Sequence, residues 1–357
     1  MTRFVIPEGV RSAAWVIVAA ISMACSSEDA GIQPAPAEKL VYAVYGPGPA
    51  SPLTPFPSNR YTRADVTTAT KLKVDVCAST TGDHLLTLYP KTVEQLDQLD
   101  GFSTIGGVFA NFSDDVDDAT LKRPIDAYSA ADSPMALVDV DDASPEKGKT
   151  FGLVPLYYST ADGAYDYTSD EHTVIAQPAV PLRPRTKYLF VMTDRVKTRK
   201  GAAIVATDET KALVAGNGGG DYGLALRAAL PTLEGATKIE RAHVVLATMF
   251  TTQSVHDELL AHAKTMRAAP PPKLAVDWKV ESTDPDGRVR FSAKFEAPEL
   301  RRPKPDGKFE IVDGAPKVQQ TVQLEVFLSF SDSTSTAKRP IVFFAHGLGG
   351  TKDGVWG

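Results

Sequence analysis

Lys338-Arg339-Pro340-Ile341-Val342-Phe343-Phe344-Ala345-His346-Gly347-Leu348-Gly349-Gly350 carries two unlike signals side by side. Residues 341–345 form an unbroken apolar run led by β-branched side chains, with charge and proline before it and glycines after it. That pattern predicts a central strand buried on both faces, the kind that lies in a parallel sheet covered by helices. Gly347, Gly349 and Gly350 let the backbone turn tightly and come close to a ligand. A glycine-rich loop leaving such a strand offers its N–H groups as donors to developing negative charge. A plain strand-to-helix turn is the alternative reading of the same glycines.

Around that stretch the composition is that of an ordinary globular protein. Of 357 residues, 43% are hydrophobic and 23% charged, and the length suggests two domains or three. A net charge of −6 argues against nucleic-acid binding through a basic face. The 26 prolines and 26 glycines favour a turn-rich, β-rich chain. At the N-terminus, Arg3 and Arg11 accompany an apolar run over 13–24, which is short for a membrane span and of export-signal length. It ends in Ala24-Cys25 before the polar Ser26-Ser27-Glu28-Asp29. Residues 1–24 are therefore expected to be a signal peptide, with lipid attached at Cys25, although Ser22 stands where the bacterial lipoprotein pattern prefers leucine. Ordinary signal cleavage is the alternative. Residues 25–52, rich in Pro, Ala and Gly, read as a tether. The other cysteine, Cys77, reads as a small core residue. No Cys/His cluster has metal-ligand spacing, and no cofactor is expected.

The rest divides into a β domain over 53–207, a helical connector with one strand over 208–272, and strands over 273–357. Lys187–Thr193 is expected to be a strand with Tyr188, Phe190 and Met192 on one face and Leu189 and Val191 on the other, buried on both. The cluster Asp114, Asp115, Asp117, Asp118 lacks the alternating ligands and glycine of a calcium loop and reads as a solvated turn. Helices are expected over Asp208–Ala215 and residues 222–233. A third follows Ser254, where Ser254-x-x-Asp257 can form a capping box. His256 and His262 on it have no ligand partners at metal spacing. Asp284-Pro285-Asp286-Gly287 reads as a hairpin turn, and residues 321–330 alternate as a strand.

Several segments in order resemble the bacterial virulence factor lipase N-terminal domain family. They are Pro55-Phe56-Pro57-Ser58-Asn59, Leu99-Asp100-Gly101-Phe102-Ser103-Thr104, Pro181-Leu182-Arg183-Pro184-Arg185-Thr186-Lys187-Tyr188-Leu189, residues 194–201, and Phe250-Thr251-Thr252-Gln253-Ser254-Val255. The resemblance implies an immunoglobulin-like β-sandwich ahead of an α/β-hydrolase lipase or esterase domain: a mainly β chain with α/β elements. His346-Gly347-Leu348-Gly349 would then be its oxyanion loop, after the first hydrolase strands. A hydrolase of that class also needs Gly-x-Ser-x-Gly, an acid and a histidine beyond the loop, and the sequence holds no Gly-x-Ser-x-Gly. The expectation is the N-terminal portion of a secreted or surface-anchored serine hydrolase, itself inactive. Its partners in a complete form would be an ester or lipid substrate, and the membrane through the anchor. The alternative is a non-catalytic immunoglobulin-like envelope lipoprotein that binds or builds. On the first reading residues 341–345 lack covering helices and partner strands, so they should be exposed or lie only against 321–330.

Overall fold

The computed structural model describes residues 39–46, 53–76, 94–159, 171–303, 307–312 and 315–330, with 338, 340, 342–344, 347 and 350. The chain divides into Met1–Leu40 and Val41–Gly357, and every contact below lies within the second unit. The signal peptide, Cys25 and Cys77 fall outside the described residues, as does nearly all of the tether.

Strands dominate, as expected. β1 (Tyr42–Ala43), β2 (Thr62–Ala64) and β3 (Leu72–Val74) are short. After them come β4 (Val108–Asn111), β5 (Met135–Asp139), β6 (Thr150–Phe151), β7 (Leu153–Tyr158), β8 (Thr173–Pro178) and β9 (Lys187–Thr193). β10 (Val205–Ala206) pairs with β1 in parallel. Two helices follow, α1 (Asp208–Ala215) and α2 (Gly220–Thr237), then β11 (Val244–Thr251) and α3 (Asp257–Ala268). The last strands are β12 (Leu274–Thr283), β13 (Val289–Glu299), β14 (Ile311–Val312), β15 (Ala315–Pro316) and β16 (Gln320–Phe330).

Two antiparallel sheets build the core, one in the order β4-β8-β7 and one in the order β11-β9-β5-β6. β9 explains the arrangement. Its run Tyr188-Leu189-Phe190-Val191-Met192 is apolar at every position, so both faces must be covered. Tyr188, Phe190 and Met192 share one core cluster with Val108 and Ala110 of β4, Val174 and Ala176 of β8, and Leu153 of β7. Leu189 and Val191 face a second cluster with Leu226, Leu230 and Leu233 of α2. The alternation read from sequence is therefore the alternation observed. Burying each of these side chains is worth roughly 1.5–3 kcal/mol, which makes β9 costly to disturb. α1 begins where the Thr207 hydroxyl accepts from the Thr210 N–H, and it ends at Gly216 with φ 99°.

Beyond residue 207, β11 hydrogen-bonds to β9 along its length, and α1 and α2 contribute to the core clusters. The structure differs from the expectation in three places. Ser254 does not cap α3, because its hydroxyl and N–H both bind the Asp100 carboxylate, at 2.6 and 2.8 Å. The acidic turn at 114–118 is not merely solvated, since Asp115 is bonded on both oxygens as described below. Within the expected strand 341–345, the described residues Val342, Phe343 and Phe344 are not in a strand and are 88%, 92% and 59% exposed. A strand needs a neighbour to satisfy its backbone, and an apolar run alone supplies none.

Candidate functional site

The segments Pro55–Asn59, Leu99–Thr104, Pro181–Leu189 and Phe250–Val255 are far apart in sequence. They meet at the C-terminal end of β11. The Asn59 side chain clamps Thr251 twice: its amide donates to the Thr251 hydroxyl at 3.0 Å, and its carbonyl accepts the Thr251 N–H at 2.9 Å. The Phe102 N–H donates to the Thr251 carbonyl at 2.9 Å, and the Gln253 N–H donates to the Phe102 carbonyl at 2.8 Å. Thr252, wholly buried, donates its hydroxyl to the Arg183 carbonyl at 2.6 Å, and its N–H to the Thr186 carbonyl at 3.0 Å. The Leu182 N–H reaches the Thr104 carbonyl at 2.8 Å. Phe56 stacks edge-on against Phe102, with ring centroids 5.4 Å apart. Backbone comes so close at Gly101 that a Cβ there would lie 2.7 Å from the Thr251 carbonyl oxygen, which explains the glycine.

Beside this clasp, Arg60 lies over the Tyr45 ring at 4.2 Å and donates to the Gly46 carbonyl at 3.0 Å. Burial, with Tyr222 adjacent, pushes the Tyr45 phenol far above its ordinary value. The Tyr222 hydroxyl accepts the Met249 N–H at 3.0 Å and the Ser58 hydroxyl at 3.2 Å. The phenol rings packed around the stacked guanidinium hold structure here.

A second polar cluster lies elsewhere. One Asp115 oxygen accepts the Tyr157 hydroxyl at 2.7 Å and sits 2.9 Å from His172 Nδ1. The other is 3.0 Å from the Arg199 guanidinium. Burial alone would raise the Asp115 carboxyl, but bonds from Tyr157 and His172 and the charge of Arg199 outweigh it and hold the carboxyl below its ordinary value. Tyr157, half-buried and donating a hydrogen bond to that carboxylate, is pushed up to about 12, chiefly by desolvation. His172 has φ 52°, an uncommon backbone state for a non-glycine residue. Val116, Asp117, Asp118, Tyr157, Ser159 and Arg199 line a cleft of about 420 Å³ here. Sequence reading missed this group because its members lie on separate turns and strands with no shared motif.

Of the oxyanion-loop candidates, His346, Leu348 and Gly349 lie outside the described residues. The Gly347 carbonyl accepts the Gly350 N–H at 3.0 Å, a tight turn. Among the described residues no group of three or more His, Cys, Asp or Glu could hold a metal ion. Compared with known proteins, the chain matches no family model, no curated protein and no solved structure. The family resemblance therefore rests on the motif segments and their order.

Proposed function

We propose that this chain is the N-terminal portion of an exported lipase- or esterase-like serine hydrolase. In this reading the paired antiparallel sheets are its immunoglobulin-like module. The module is non-catalytic, Cys25 carries a lipid that holds it at the cell envelope, and His346-Gly347-Leu348-Gly349 is the oxyanion loop of the attached hydrolase domain. One observation carries the reading: four of the segments that resemble the lipase N-terminal family meet in a single hydrogen-bonded clasp on Thr251 and Thr252. Residues that build one such feature have a joint structural reason to occur in that order. The oxyanion loop alone gives only a small part of a hydrolase's rate, so the 357-residue chain should not turn over ester. Two measurements test this. The purified chain should neither hydrolyse p-nitrophenyl butyrate nor label with a fluorophosphonate serine probe. The genomic reading frame continued past codon 357 should encode Gly-x-Ser-x-Gly within ~100 codons, the reach of the first βα units. A stop codon followed by an unrelated gene would sink the hydrolase reading. The cleft lined by Tyr157 and Arg199 favours a second reading, an envelope module that binds a ligand without catalysis.

A further inference from the structure

The sheet of order β12-β13-β16 has two unlike faces. Successive ladder pairs on one face are Val289 with Phe330, Phe291 with Leu328, Ala293 with Val326, Phe295 with Leu324 and Ala297 with Val322. β12 adds Val280 opposite Phe291 and Leu274 opposite Phe295, and Trp278 packs edge-on against Phe295 at 6.0 Å. The other face carries charge, with Lys294 opposite Glu325 and Lys279 bridged to Glu281 at 2.7 Å. An antiparallel sheet with one apolar face needs that face covered. Here Trp278, Val280 and Leu324 remain 41%, 58% and 53% exposed.

We propose that this apolar face docks on the same face of a second copy of the chain. Area supports it. Nine-residue ladders on three strands span roughly 30 Å by 14 Å, and with the side chains standing above them expose on the order of 500 Å². Two such faces stacked about 10 Å apart bury about 1,000 Å², the lower limit of a specific interface, so the dimer is weak and concentration-dependent. Charge supports it too. The apolar pairs run without a charged residue until Glu299 at the strand end, which Arg301 neutralises at 2.9 Å. Along β13 and β16, self-stacking therefore opposes no like charges. The competing mode pairs β16 with itself along the edge that no strand among the described residues occupies. Glu325 is at the centre of Gln320–Phe330, so a two-fold edge pairing sets Glu325 against its own copy, which is unfavourable. Only these three strands enter the proposal, which does not rest on the hydrolase reading.

Sedimentation velocity of the full chain tests the proposal from 1 to 100 µM, a range set by the micromolar affinity of small interfaces. The expected result is a shift from monomer to dimer, a doubling of mass. Val280→Asp and, separately on another strand, Leu324→Asp should each leave a monomer with unchanged far-UV circular dichroism. Leu259→Asp, at an exposed position on α3 and on none of the three strands, should dimerise like the parent. A monomer at every concentration overturns the proposal, as does a dimer that survives both aspartates. Association that strengthens in Glu325→Gln would assign the contact to the β16 edge and overturn it equally.

Discussion

Replacing Gly101 by alanine should damage the clasp more than its single methyl group suggests. The new Cβ would lie 2.7 Å from the Thr251 carbonyl oxygen, 2.8 Å from the Gln253 nitrogen and 2.8 Å from the Thr252 carbonyl carbon. All three are backbone atoms, so no side chain can rotate away. Overpacking of this kind costs about 1–3 kcal/mol. Any retreat of residues 101–102 also stretches the two bonds between Phe102 and the Thr251–Gln253 backbone, each worth about 1 kcal/mol. Alanine recovers about 0.4–1 kcal/mol by narrowing the unfolded ensemble. The net expected loss is about 2–4 kcal/mol. Gly235→Ala is the control: it lies in α2 with nothing within 4 Å of its would-be Cβ, and should stabilise by about 0.5–1 kcal/mol. Urea unfolding followed by circular dichroism reads both as shifts in midpoint at constant slope. If Gly101→Ala loses less than about 0.5 kcal/mol, within the range of ordinary surface changes, the close approach does not constrain this position and the clasp is not tight.

Three further outcomes are expected. Asn59→Ala leaves the buried Thr251 N–H without its acceptor and should cost about 1–3 kcal/mol in the same assay. Asp115 is held below the ordinary carboxylate range, so its network contributes fully above about pH 4 and is lost as pH falls through the lower folded value. In melting curves from pH 2 to 7, Asp115→Asn should lower the midpoint near neutrality and flatten the acid limb; an unchanged acid limb refutes this role. Mass spectrometry of the mature protein should find diacylglycerol or further acyl chains on Cys25, and a free thiol or another N-terminus would refute the anchor.

What could be read from sequence followed the range of the interaction. β9 was legible because its five consecutive apolar residues state both of their faces locally, and the observed clusters divide them as the alternation requires. The turn at Asp284–Gly287 was legible for the same reason: the Gly287 N–H closes on Asp284 at 2.9 Å, within four residues. Ser254 misled because a capping box and a bond to Asp100 use the same side chain, and Asp100 is 154 positions away. Asp115 misled likewise, since Tyr157 and His172 lie 42 and 57 positions off. Residues 342–344 show the converse. Their apolarity is intense and local, but a strand is a relation between two segments, and 342–344 pair with none of the described residues.

The clasp on Thr251 also bears on when the protein can fold. Asn59 waits for a partner 192 positions later. At roughly 5–20 residues per second, synthesis separates the two by about 10–40 s. During that interval β9 and β5 have no β11 beside them, and contacts of such long sequence separation form slowly even once available. The lock on Thr251 can therefore close only after β5, β9 and β11, the strands it sits beside, have all been made.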